Sequence, residues 1–245
     1  MGPLVGGDTP TSLAAGLAAM QLLDSAAPTG AFAHSFGFET YMEEGAIDSP
    51  DSFAAWLHSY ILNQLLYNDA IAIRLVYRAQ SFEDVADLDR LLVALTLPSQ
   101  IVKANQAMGK RLLRIAAANY GSAEATANEN SSWLRAYDKQ VGQGRLTGHP
   151  AIAWAVVACQ LGIPVEAAVS HFLYATAISL TQNAVRAVPL GQDAGQRVER
   201  RAQVWILEAT ERSRSLGLAD LGATVPGLEI AQMRHERQRA RLFMS

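Results

Sequence analysis

Apolar positions in the carboxyl-terminal half of the chain recur at helical steps. Between Glu166 and Arg186 nineteen consecutive residues carry no formal charge, and Val165, Val169, Phe172, Thr176, Leu180 and Ala184 follow one another at three or four residues. That spacing predicts a helix. Pro164 suits its first turn, where a proline forfeits no helical hydrogen bond, and Pro189 cannot continue it. A helix uncharged on every side is normally covered on every side, so this one is predicted to be the central post of an all-α domain. Beyond it, Asp193 and Gln196 read as a capping box that opens the next helix.

The same periodicity organises the remainder. A helix is expected from Thr11 to about Asp24, with Leu13, Leu17, Met20 and Leu23 on one face. A turn at Pro28–Gly30 leads into the aromatic and glycine-rich run 31–41, read as a packed turn and a short helix ending at Gly45. Ser49-Pro50-Asp51 is a helix start with a hydroxyl cap and a first-turn proline. Phe53, Trp56, Leu57, Tyr60, Ile61 and Leu65 form its stripe, and a second segment carries Ala70, Ile73, Val76 and Tyr77. Ser81 with Asp84 is another capping box. Pro98 opens a longer helix that ends near Gly121, Ser122–Ser132 reads as a loop, and short helices follow at Trp133–Tyr137 and Pro150–Gln160. A charged amphipathic helix is expected over Gly195–Ser213, with Val198, Val204, Trp205, Leu207 and Ala209 available for packing, and a weak basic one over Glu229–Arg239. No period-two alternation is long enough for a strand. The predicted architecture is a single all-α domain of about ten helices over 11–228, preceded by a mobile segment at 1–10 and followed by a partner-binding tail at 229–245.

Half of the 245 residues are apolar, enough for a substantial core. The single cysteine, Cys159, excludes an internal disulfide and fits a reducing, cytoplasmic setting. No cationic segment precedes the apolar run at Leu13–Leu23, which argues against a secretory signal. The longest uncharged window, Leu146–Val165, is broken by Gly-His-Pro and Gly-Ile-Pro and is too short to cross a membrane. Charge is uneven: the first 73 residues hold no Lys or Arg, whereas nine arginines face six acids from Arg197 onward. Such asymmetry means that the two ends meet different partners or each other. It is not the basic stripe of a nucleic-acid binder.

No chemistry-bearing constellation emerges. The five histidines and Cys159 lack metal-site spacing, and Cys159, set among alanines and valines, reads as a small buried side chain. Asp84, Asp87 and Asp89 resemble the magnesium-holding cluster of helical prenyl-transfer enzymes, but read as a solvated helix start, and no second acidic motif accompanies them. No nucleophile, base and orienting acid fall together. Arg186 is open to two readings: a cation favoured by the carboxyl end of the post, or a contact to a partner. The tail 234–243 reads either as a frayed end or as a segment ordered by a partner that covers Leu242 and Phe243.

Several stretches together resemble the urease accessory protein UreF family: 24–39 (DSAAPTGAFAHSFGFE), Met108-Gly109-Lys110-Arg111-Leu112-Leu113, Gly148-His149-Pro150, Pro189-Leu190-Gly191-Gln192 with Gly195-Gln196, and His235-Glu236 with Arg241-Leu242-Phe243. They occur in order from about Leu22 to the end. The resemblance implies an all-helical, homodimeric, non-enzymatic cytoplasmic protein with no cofactor or bound metal of its own. It further implies a bridge between a second accessory protein, UreD (UreH in some systems), and the GTPase UreG, in the assembly that loads nickel into apo-urease. The partner-binding residues would be His34, Ser35, Glu39 and Tyr41 of the first motif, Gln182, Arg186, Gln192 and Gln196 at the exit of the post, and His235, Glu236, Arg241, Leu242 and Phe243 of the tail. Burial of Leu242 and Phe243 by UreD would contribute about 2 kcal/mol each before ordering entropy is subtracted. Trp56, Tyr60 and Trp154 are candidates for self-association. The rival classes are a magnesium-dependent isoprenoid enzyme or small-molecule carrier built on the Asp84 cluster, and a nucleic-acid regulator with a basic tail.

Overall fold

The computed structural model describes residues 12–24, 27–121, 130–188, 190–223 and 225–245. The segment 1–10, Ser25, Ala26, Pro189 and residues 122–129 of the expected loop lie outside them. The helices are α1 (Leu13–Leu23), α2 (Phe38–Glu43), α3 (Pro50–Ser59), α4 (Ile71–Arg78), α5 (Phe82–Leu95), α6 (Ser99–Tyr120), α7 (Asn130–Gly142), α8 (Pro150–Gln160), α9 (Val165–Ala187), α10 (Gln192–Arg212) and α11 (Pro226–His235). No strand occurs among the described residues, and the fold is an all-α bundle.

Local signals account for most helix starts. The Ser49 hydroxyl accepts from the Ser52 N–H, and the Ser81 hydroxyl from the Asp84 N–H, whose carboxylate in turn takes the N–H groups of Gln80 and Ser81. Those reciprocal bonds satisfy donors that the first helical turn leaves orphaned. The Asp193–Gln196 box does not form. Gly191, at a φ of 71°, admits the chain directly into α10 at Gln192, two residues ahead of where that cap would need it.

Tyr60–Ala70 is π-helical and joins α3 to α4 without a break, so the two expected segments are one element. Tyr60, Leu65 and Ala70 form one buried row, and Ile61, Leu66 and Ile71 another, each at steps of five. A five-residue row stays on one face when hydrogen bonds run from i to i+5. A 3.6-residue reading loses it.

In α9 no residue from Val165 to Val185 is exposed, as a post requires, although one flank is only half-buried. The most completely wrapped helix is α8, in which every residue from Ala151 to Ala158 is buried. Trp154, a self-association candidate, lies there at zero exposure with its Nε1 donating to the Ala168 carbonyl at 2.8 Å, so it is a core anchor between α8 and α9. Tyr60 is buried as well, and Trp56 is half-buried and stacked on it.

Asp89 holds the lead-in to α8. Its carboxylate accepts the N–H groups of Thr147 (2.7 Å), Gly148 (3.1 Å) and His149 (2.8 Å) and the Tyr137 hydroxyl (2.7 Å), at zero exposure. The expectation of a solvated acidic start therefore fails for Asp89. Asp84 caps α5, Asp87 pairs with Arg90, and the three carboxylates serve separate purposes. The backbone at Gly148 also touches α6 at Gly109, where an added Cβ would stand 1.6 Å from the Gly148 oxygen. Two of the stretches that carry the family resemblance are thus one contact.

The charge asymmetry resolves into the ends facing each other. Arg201 pairs with Asp51 at 3.0 Å and Arg234 with Glu44 at 2.9 Å. Deeper, buried Arg74 grips Glu166 with two bonds, at 3.1 and 2.5 Å, and Arg214 joins at 3.1 Å. Burial opposes ionisation of Glu166, but these guanidinium contacts outweigh it and hold the carboxyl below its ordinary range.

Of two expected packing faces, most of that on α1 and part of that on α10 point outward. In α1 the buried residues are Ala15, Ala18, Ala19 and Leu22, while Leu13, Leu17 and Met20 are exposed. In α10 the small Ala194, Ala202 and Ala209 with Val198 and Ile206 are buried, leaving Val204 and Leu207 exposed. Small residues let α9 and α10 approach closely: a Cβ on Gly195 would lie 2.8 Å from Val185.

Candidate functional site

The residues singled out near the two chain ends converge on one place. Gly30 and Gly37 adopt φ values of 91° and 101°, and Phe36 between them has a φ of 50°, a costly conformation for a bulky side chain. This double reversal turns the backbone of 31–37 so that its carbonyls and N–H groups face the tail. A side chain at Gly37 would press on Gln232 and Leu228 of α11, at 2.9 and 3.1 Å, so the glycine admits α11. Gln232 donates to the Phe36 carbonyl, and Thr40 donates to that of Ala231.

Glu39 is the hinge-pin. Buried at the start of α2, its carboxylate lies 2.7 Å from Nε2 of His235 and accepts the N–H groups of Leu242 (2.5 Å) and Phe243 (3.2 Å). The other ring nitrogen of His235 lies 3.0 Å from Oε1 of Gln100, so both ring nitrogens face oxygens.

The tail beyond is irregular, with bends at Leu242 and Phe243, and its burial alternates. Phe243 points inward at 6% exposure, edge-on to Phe38, and Ser245 is buried; Leu242 and Met244 point outward, each at 68%. Met244 donates to the Ala33 carbonyl, while the Ser245 carbonyl accepts from the Ser35 N–H, the Ser35 hydroxyl and the Phe36 N–H. The Ser245 hydroxyl meets Nδ1 of His34 at 2.8 Å. Burial lowers the pKa of His34 and favours its neutral form. The expectation of an unpaired tail waiting for a cover thus fails for Phe243, which its own chain covers, and holds in exposure for Leu242.

Arg186 bolts this clasp to α9. Its Nη2 donates to the Phe32 carbonyl at 2.7 Å and to Oδ1 of Asn183, and its guanidinium lies over the rings of Phe32 and Phe243. Asn183 donates to the His34 carbonyl at 2.7 Å. Arg186 nevertheless remains exposed on its outer side. Gln182 and Gln196 both donate to buried Glu199, tying α9 to α10, and Gln192 stands exposed beside them. Tyr41 is half-buried, Glu236 and Arg241 are exposed, and Ser99 donates to Glu236.

Asn183, Thr40 and Gln232 belong to the clasp and were not on the predicted site. A signal existed for Asn183, since an amide inside a charge-free helix must find a polar partner. Among the described residues no three His, Cys, Asp or Glu side chains gather to hold a metal. Cys159 is half-buried, and burial pushes its thiol up to about 12, so it is no thiolate.

These features define an all-helical protein whose two ends are latched together over the exit of a long inner helix, with apolar side chains left outward on the latch. The chain belongs to the UreF family. The family model described as UreF matches residues 47–203. The chain is 52% identical over 239 residues to the urease accessory protein UreF of Kocuria rhizophila, covering 96% of this chain and 98% of that one. It is 49% identical to the urease accessory protein UreF of Corynebacterium efficiens and 51% identical to that of an Arthrobacter species, each over 229 residues, with 94% of this chain and 96% of the relative covered. A role in urease maturation follows from that membership, and among the described residues no helix is long and apolar enough to cross a membrane.

Proposed function

We propose that this protein is a non-enzymatic adaptor of the cytoplasm that joins UreD (UreH) to the GTPase UreG during nickel delivery to apo-urease. The observation that carries the reading is the alternation of the tail. Glu39 fixes Leu242 and Phe243 by their N–H groups, so Phe243 locks inward and Leu242 and Met244 are held outward in a set geometry. An apolar pair displayed on an ordered tail, flanked by exposed Arg241, suits recognition by another protein, because little ordering entropy remains to be lost. UreD takes this face. UreG takes the exit of α9, where the outer side of Arg186 and exposed Gln192 and Gln196 supply planar polar groups. Exposed Val204 and Leu207 of α10 support self-association as a homodimer. The isoprenoid and carrier readings lose their basis in the Asp84 cluster, since its three carboxylates are engaged apart.

Size-exclusion chromatography with purified UreD and UreG tests the assignment. Leu242→Asp with Met244→Asp leaves the clasp contacts in place and should abolish co-elution with UreD; undiminished co-elution removes the tail from the interface.

A further inference from the structure

A cavity of about 150 Å³ lies beside α9, between the π-helical segment, α5 and α6. Leu65, Leu92, Ile101, Leu112, Phe172 and Leu180 supply its apolar walls. Its charged lining is of one sign: Asp24, Asp69 and Glu229, with no Lys or Arg among the described lining residues. His149, also in the wall, is held neutral by burial. Asp69 is the unusual member. It lies deep in the molecule yet stays only half-covered because it opens into this space, and among the described residues no side chain donates to its carboxylate or pairs with it. The π winding puts Asp69 in one row with Gln64, five residues before it, and both line the cavity. A carboxylate left so is costly when ionised and calls for a cation.

We propose that this cavity binds a small organic cation, a primary ammonium on an apolar body of about one ring, with Asp69 as its counter-ion. A dry apolar cavity of roughly 150 Å³ accommodates a benzene-sized ring. The rings of Tyr60 and Phe172 in the wall favour a cation further. A bare divalent ion fits poorly, because such ions take about six or more oxygen ligands and this space is walled mostly by hydrocarbon with no cluster of ligating side chains. The cavity shares Phe32, Phe36 and Gln232 with the clasp, but cation binding at Asp69 does not rest on the adaptor reading.

Calorimetric titration of the full chain with benzylammonium, toluene and benzoate decides it. Benzylammonium should bind saturably, toluene more weakly, and benzoate not at all. Asp69→Asn, with helicity checked by circular dichroism, should weaken benzylammonium at least tenfold and leave toluene unchanged. Leu180→Phe, which fills the space from α9, should remove both ligands. Saturable benzoate binding, benzylammonium affinity unchanged in Asp69→Asn, both ligands retained in Leu180→Phe, or displacement of benzylammonium by equimolar Mg²⁺ would each overturn the proposal.

Discussion

Two buried carboxylates do similar work in different settings. Asp89 gathers three backbone N–H groups and a phenol in the middle of the bundle, where Tyr137, Gly148 and His149 are buried. Glu39 gathers two N–H groups and a histidine at the rim, where the segment it holds is six residues from exposed Glu236 and turns Leu242 and Met244 to solvent. The lesson is that an acceptor's energetic role depends on what its loss exposes. Without Asp89, buried donors are stranded; without Glu39, the tail can peel away and be hydrated.

The sharpest way to break the comparison is to remove each acceptor. Asp89→Ala strands donors that cannot reach water, and should cost on the order of 4 kcal/mol in urea-induced unfolding. Glu39→Gln should cost about 2 kcal/mol or less in the same measurement. It should nevertheless erase amide-exchange protection at Leu242 and Phe243 while α8 stays protected, because local opening of an end is separable from global unfolding. Equal losses for the two would mean that the tail is part of the core.

Asp69, half-covered and open to the cavity, takes only its own backbone N–H and has no side-chain donor or cation among the described residues. Burial pushes its pKa from an ordinary 3.8 to about 7, so between those values the folded chain holds a proton that the unfolded chain has released, and stability falls as pH rises. His149 acts oppositely. Burial, only partly offset by the charge of Asp89, takes its pKa from 6.5 to about 4, and stability rises with pH through that window. The two slopes offset each other up to about pH 6.5. Asp69→Asn should therefore gain stability over the unaltered chain by about 1.4 kcal/mol per pH unit between pH 5 and 6.5 in urea titrations. The smallest effect belongs to a purely local device: Ser81→Ala, which removes one cap, should cost about 1 kcal/mol and leave tail exchange untouched.

What could be read along the chain was what local chemistry decides. Ser49 with Pro50, and Ser81, announce their helices because a cap or a first-turn proline acts within four residues. The interior uncharged run of α9 was equally plain. Asp89 was not, since its donors lie 48 to 60 positions away and only packing brings them in. The π rows escaped because five-residue steps look irregular against a 3.6-residue period. The stripe of Leu13, Leu17 and Met20 suggested a packed face, yet alanines on the other side allow closer approach and were chosen for burial. At the site, resemblance drew attention to His34, Glu39, Arg186, His235 and Phe243. The contacts of Glu39 with His235 and Phe243, 196 and 204 positions apart, are a product of the fold.

On the proposed reading Glu39 holds the tail in the form that UreD recognises, and the affinity of UreD for Glu39→Gln is decisive. This variant should keep its helicity and a single cooperative unfolding transition while binding UreD at least tenfold more weakly in a surface-immobilised assay. Unchanged affinity in a variant whose tail amides exchange freely would contradict it.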